Sequence, residues 1–387
     1  MKSLRHAAAF ALPVVAATAA AAAVAVFSTA RRVVTPAVRQ KDVRIRSVDT
    51  AAQTIELDRT VDTELPGRYG LFTAGSHDYV KLGAVLSADA TSVRRKLLTQ
   101  IAPDAHLDQD AAFSGWYYVA PDELHLPWKN VLIGSPAGPC PAWLFPQSSS
   151  TWVIQVHGRG TTRSECLRAV PVFHALGLPV LVVSYRNDGE APRSRRGSYA
   201  LGAAEWRDVD AAIGYAMRHG AERIVLMGWS MGGAIALQTA VSSAHREAIA
   251  ALVLDSPVVD WRTVLRFQAR EAGLREPLPA LAMGALQNSV MARLSGAEAP
   301  IAFDRLDMVA RASELDAPVL ILHSEDDGFV PADASHALAK ARPDLVTMPE
   351  ISVARHTKLW NYDQSGWTAT ITDWITVQGL AEDSAPN

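Results

Sequence analysis

Ile224-Val225-Leu226-Met227-Gly228-Trp229-Ser230-Met231-Gly232-Gly233 is the stretch whose reading decides the fold. An apolar run of strand type leads directly into Gly-Trp-Ser-Met-Gly, and an apolar helical pattern, Ala234–Val241, follows at once. Glycine two residues before and two residues after a serine lets the backbone turn sharply from strand to helix and lifts the hydroxyl clear of the sheet. The same turn points the first helical N–H groups, including that of Met231, toward a developing anion. Ser230 is therefore the candidate nucleophile, and Gly228, Trp229 and Gly232 are the residues that build its elbow. A bare G-x-S-x-G arises often by chance; the strand before it and the helix after it give this one its meaning.

Working outward, similar apolar runs recur on both sides. They are Val131-Leu132-Ile133, Ala142–Phe145, Trp152–Val156, Val180–Val183, Arg223–Met227, Ala251–Leu254, Val319–Leu322 and a weaker Leu345–Met348. Continuous Val/Ile/Leu runs suit strands buried on both faces of a parallel sheet. Helical patterns separate them, such as Ala203–His219 with Trp206, Val209, Ile213 and Ala216 on one face. Strand and helix in alternation read as a doubly wound α/β sheet. No internal repeat appears.

A serine hydroxyl needs an imidazole within hydrogen-bond reach. On an elbow of this kind the acid and then the histidine follow the serine along the chain, which leaves His323, His336 and His356. His323 ends a strand ahead of the acid, and His336 lies within the helical pattern Ala332–Ala341. His356 sits in a loop beyond the last strand, where an α/β sheet places its site. It is the expected base. After Val319–Leu322 come three consecutive carboxylates, Glu325-Asp326-Asp327. Asp327 fits best as the acid, because Gly328 permits a turn directly after it and Val330-Pro331 start the next element. Asp326 is the second choice and Asp255 the third. The loop His157-Gly158-Arg159-Gly160 closes the strand Trp152–Val156, and its Arg159 N–H is expected to pair with the Met231 N–H as an oxyanion hole. The Arg159 side chain is left two readings, contact with substrate or a structural ion pair.

The chain has 387 residues, a net charge of -3 and 49% hydrophobic residues, enough for one large domain and something more. Charged residues make up 20% with no long block of one sign, which argues against nucleic acid as a partner. Cys140 and Cys166 form no metal or redox pattern and read as two small buried residues or one optional bridge. No metal and no cofactor is expected. At the N-terminus, Lys2 and Arg5 precede the uncharged apolar stretch Ala7–Ala30, which Arg31 and Arg32 close. Such a stretch can cross a bilayer core of about 30 Å. It reads as an uncleaved single-pass membrane anchor; a cleaved signal leaving a secreted protein and a buried alanine-rich helix are the other readings. Which side the C-terminal part faces stays open. Between anchor and sheet, Val43–Val48, Thr54–Leu57 and Tyr69–Phe72 read as strands and Ser92–Ile101 as a short helix, with Val93, Leu97 and Ile101 on one face. This segment shows no chemistry and reads as a cover or spacer.

With these residues in hand, the chain resembles the α/β-hydrolase superfamily and, within it, looks like the bacterial prolyl-oligopeptidase and serine-aminopeptidase-like branch, including membrane-anchored actinobacterial members. The markers are VHGRG (156–160), SYRND (184–188), GWSMGG (228–233), LDSP (254–257), SEDDGFVP (324–331) and HTKLWN (356–361). One departure is Ser324, where relatives often carry glycine. The resemblance implies an eight-stranded, mostly parallel sheet with helices on both faces. It also implies metal-free acyl transfer through an acyl-enzyme and a small helical lid after the sixth strand, supplied by residues about 261–315. The expected division is an anchor or signal segment over 1–40, a β-rich segment over 41–112, the hydrolase domain over 113–380 and a disordered tail over 381–387. The expected function is hydrolysis of an ester, thioester or amide in a small acyl or peptide-like substrate, carboxylesterase-like first. A serine peptidase or an acyltransferase on the same triad comes next, and a non-catalytic hydrolase-fold interaction protein is the reading from another class.

Overall fold

The computed structural model describes residues 20–36 and 38–381. Residues 43–114 form a closed antiparallel barrel of six strands, ordered β1-β2-β5-β4-β3-β6. The strands are β1 (Val43–Asp49), β2 (Thr54–Asp58), β3 (Tyr69–Phe72), β4 (Tyr79–Ala88), β5 (Ser92–Leu97) and β6 (Asp110–Ser114). Alternating apolar residues fill it, among them Ile45, Ile55, Leu57, Leu71, Val80 and Leu82, as the period-two geometry of strands requires.

The expected helix over Ser92–Ile101 is instead strand β5. Residues 93, 97 and 101 lie four apart, a spacing that fits one face of a helix but also one face of a strand, because four is even. The residue that hid the alternation is Arg95. Its side chain points inward and is fully buried. All five of its N–H donors are used, on the carbonyls of Thr63, Leu65, Gly67 and, twice, Gly83. A buried guanidinium is tolerated when every donor is paired.

The second layer system is an eight-stranded sheet ordered β14-β13-β12-β11-β9-β10-β8-β7. Its strands are β7 (Lys129–Ser135), β8 (Gly138–Phe145), β9 (Thr151–Val156), β10 (Val180–Val183), β11 (Arg223–Trp229), β12 (Ile249–Asp255), β13 (Val319–Leu322) and β14 (Val346–Thr347). Strands from β10 across to β14 run parallel, while β8 is antiparallel to both β10 and β7. The continuous apolar runs are explained by burial on both faces. Ile154, Leu226 and Leu254 meet α3 (Trp206–Arg218) and α4 (Met231–Ser242). Val153, Val225 and Val253 meet α2 (Val170–Ala175) and α10 (Gln364–Val377).

The segment after β12, the sixth strand of the sheet, is helical: α5 (Trp261–Glu271), α6 (Leu278–Gln287) and α7 (Ser289–Leu294). Asp260 caps α5 by accepting the N–H groups of Arg262 and Thr263.

The apolar stretch Ala7–Ala30 lies largely outside the described residues, as does nearly all of the expected tail, residues 382–387. From residue 20 to 34 the chain is a helix, α1. Its last turn enters the core of the eight-stranded sheet through Ala30 and Val34. Among the described residues no helix is long and apolar enough to cross a membrane.

Candidate active site

Ser230 stands between β11 and α4 with φ 51° and ψ −115°, a backbone conformation that costs energy for any residue with a Cβ and is typical of elbows that expose a nucleophile. The neighbouring glycines make the turn possible. A Cβ on Gly228 would lie 2.4 Å from the Gly232 carbonyl oxygen, and one on Gly232 would lie 2.1 Å from that of Val156. Gly232→Ala is thus expected to push α4 off β9 and to leave little folded protein, as seen by thermal melting; a variant melting near the parent would contradict this contact.

The expected acid and base are brought to the serine from loops at the carboxyl ends of their strands. The Ser230 hydroxyl lies 3.0 Å from His356 Nε2. His356 Nδ1 lies 2.7 Å from Asp327 Oδ2. The other Asp327 oxygen accepts the N–H groups of Phe329 and Val330, both at 2.8 Å. Burial by itself would raise the Asp327 carboxyl, but the imidazoles of His356 and His323 outweigh it and hold this group well below the usual carboxylate range.

The other candidates have different tasks. His323 is buried, between the Val330 carbonyl at 2.9 Å, the Ser335 hydroxyl at 2.8 Å and Asp327 Oδ2 at 3.3 Å. His336 pairs with Glu325 at the surface. Asp326 accepts the main-chain N–H groups of Ala354 and Arg355 and the hydroxyl of Ser324. It therefore shapes the loop that carries His356, and the serine that departs from the family pattern helps to hold it. Asp255 accepts the Trp367 indole N–H and the Ser256 hydroxyl.

On the opposite side of Ser230, the Gly158 N–H is already donated to Glu165 Oε2 at 2.8 Å. Arg159 N–H has no acceptor among the described residues. Met231 opens α4, and a first-turn N–H has no partner within its own helix. These are the two donors expected from the sequence. Below the loop, His157 Nε2–H donates to Asp188 Oδ2 at 3.1 Å and the ring stacks on Tyr185, whose hydroxyl donates to the His157 and Gly158 carbonyls. The Arg159 side chain follows neither expected reading. Its Nη2 donates to the carbonyls of Arg32, Val33 and Thr35, at 2.8, 3.1 and 2.6 Å, and so closes the C-terminal end of α1.

Ser230 and His356 open into a cavity of ≈ 390 Å³. Its remaining wall was not foreseen. It comes from the segment Val38–Asp42 and from the barrel, through Asp62 and Ala112–Ser114, while no residue of 261–315 lines it. The helical insertion is present where the resemblance puts the lid, but the covering is done by the barrel. Asp62 ties barrel to hydrolase through Arg355 at 3.4 Å and Lys358 at 3.3 Å. Arg39 lies with its guanidinium 3.3 Å above the Phe72 ring. No local pattern marks Asp62 or Arg39, since their partners are distant in the chain. Among the described residues no group of His, Cys, Asp and Glu is arranged to hold a metal ion.

Comparison with known proteins places this geometry. A family model described as "Alpha/beta hydrolase family" matches residues 153–370, and a model described as a domain of unknown function matches residues 44–114. Among curated proteins, the uncharacterized protein Rv2307c of Mycobacterium tuberculosis is 28% identical over 210 residues, 51% of this chain and 61% of that protein. The matched region thus spans less than two thirds of the relative. Among solved structures, the Pyrococcus furiosus esterase Pf2001 superposes with a TM-score of 0.53 at 16% identity, covering 67% of this chain and 94% of that one. A second crystal form of the same esterase superposes with a TM-score of 0.52 at 17% identity, covering 67% and 93%. At such identities the likeness speaks for the fold alone.

Proposed function

Because the chain belongs to the alpha/beta hydrolase family, we propose that it is a carboxylesterase-like serine hydrolase in which Ser230, His356 and Asp327 act as one unit. The observation that carries this reading is the unbroken hydrogen-bond chain from the Ser230 hydroxyl through His356 to Asp327, at 3.0 and 2.7 Å, opening on a cavity. The Ser230 oxygen attacks the substrate carbonyl as its proton passes to His356 Nε2. The oxyanion that forms is met by the N–H groups of Arg159 and Met231. Collapse expels the alkoxide, which takes the proton from His356, and leaves Ser230 acylated. Water enters by the same route, gives a proton to His356 Nε2 and attacks the acyl carbon; the Ser230–acyl bond breaks, Ser230 regains the proton and the carboxylic acid leaves. Asp327 holds the Nδ1–H tautomer and stabilises the imidazolium. Esters come first because an alkoxide needs less help to leave than an amine.

The test is labelling of the folded protein with a fluorophosphonate probe, followed by turnover of p-nitrophenyl esters of graded chain length. Labelling should occur at Ser230 and be absent in Ser230→Ala. A folded protein that does not label would favour the non-catalytic interaction module. Faster turnover of aminoacyl amides than of any ester would transfer the reading to a peptidase.

A further inference from the structure

A second cavity, of ≈ 380 Å³, lies at the C-terminal end of α1, where Arg31, Arg193, Arg196 and Arg293 converge. The four come from three separate parts of the chain. Arg196 Nη1 donates to the Arg293 carbonyl at 2.9 Å. Arg31 lies against Gly296, where an added Cβ would be 3.8 Å from its Cγ, and Arg193 folds over Gly197. None of these four guanidinium groups has a carboxylate within ion-pair distance among the described residues. Ser198 also lines the cavity, and its hydroxyl is hidden from solvent without a hydrogen-bond partner among the described residues. Four exposed guanidinium groups without a carboxylate partner, together with an unspent hydroxyl, make this a donor-rich recess that an anion with several oxygens can fill.

We propose that this cavity binds the phosphate group of an anionic phospholipid. Guanidinium groups recognise phosphate by paired N–H donors, and basic clusters beside an apolar helix are a recurrent headgroup site. The surroundings favour a lipid over a soluble phosphate. The uncharged stretch Ala7–Ala30 leads directly into Arg31, and Val24 on α1 is 68% exposed. On the other rim, α7 turns Val290, Met291 and Leu294 outward, at 64%, 45% and 66% exposure, beside Arg293. Apolar side chains flanking a cationic recess are what a membrane surface meets.

The site is separate from Ser230, so its test does not depend on the catalytic reading. The full chain in a neutral maltoside detergent would be titrated with short-chain diether phosphatidylglycerol, its phosphatidylcholine counterpart and inorganic phosphate, following the melting temperature. Ether linkage keeps the probes from being hydrolysed. Phosphatidylglycerol is expected to bind at least about tenfold more tightly than the other two, with the affinity weakening as salt rises. Arg196→Gln/Arg293→Gln should lose at least about tenfold of that affinity while labelling at Ser230 and turnover of a soluble ester stay at the parent level. Equal binding of the two lipids, salt-independent binding, or a folded double variant with undiminished affinity would overturn the proposal. Inorganic phosphate binding as tightly as phosphatidylglycerol would overturn the lipid assignment. Should the double variant fail to fold, the lipid comparison and salt series on the unaltered protein decide by themselves.

Discussion

His356→Ala is expected to lower kcat by about a thousandfold or more without unfolding the protein, a loss of at least about 4 kcal/mol of transition-state stabilisation. The ring sits in a loop, its nitrogens bonded among the described residues to Ser230 and Asp327, and it lies beside the Phe329 ring, with centroids 5.1 Å apart. Truncation therefore removes the proton acceptor and little packing. Neither of the other two candidate histidines can take over. His323 is spent on Ser335, Val330 and Asp327, and His336 is bound to Glu325. Ester turnover with a parallel melting curve measures both halves of the prediction. Retained turnover would show that the proton goes elsewhere.

Asp327→Asn should be comparably damaging, by about ten thousandfold, whereas Asp326→Asn should cost about tenfold at most. Every hydrogen bond that reaches the Asp327 carboxylate arrives as an N–H donor, from Phe329 and Val330 on one oxygen and from His356 and His323 on the other. An amide must turn its own NH₂ toward one of these pairs. If it faces His356, the imidazole flips to the tautomer with its proton on Nε2, and the serine loses its base. Asp326 is different, because its contacts run through a single oxygen, Oδ1, which an asparagine carbonyl can reproduce. The reverse ranking in kcat would exchange the roles of the two carboxylates. The same substitution has a signature in acid. Asp327 titrates below its unfolded value, so the native state binds fewer protons there than the unfolded chain. Its stabilising contribution is complete above about pH 4 and is lost as pH falls through the lower, folded value. In Asp327→Asn that part of the acid dependence of stability should disappear.

The sheet and the serine were legible in the sequence because each depends on local pattern. Val180–Val183 and Val319–Leu322 are strands with the bounds read from their apolar runs alone. The elbow was readable because close approach leaves no choice but glycine at 228 and 232. Chain order narrowed the candidates, and the loop around His356 and the turn residues after Asp327 completed the choice. What escaped depends on contacts between distant parts. Arg95 concealed the strand alternation of β5 because its acceptors are carbonyls, which leave no mark in a sequence. Asp62 meets Arg355 and Lys358 across nearly 300 residues, so the barrel that walls the cavity read only as a cover without chemistry. The helical insertion illustrates the converse. Family likeness located the segment, yet the lining of the cavity is decided by how the barrel docks.

Arg159 belongs to two structures at once, with its main chain beside the nucleophile and its guanidinium clasping the last carbonyls of the N-terminal helix. Helix and loop are consequently linked as the two arms of a lever. A displacement of that helix's last turn would therefore reach the loop beside Ser230 without passing through the sheet.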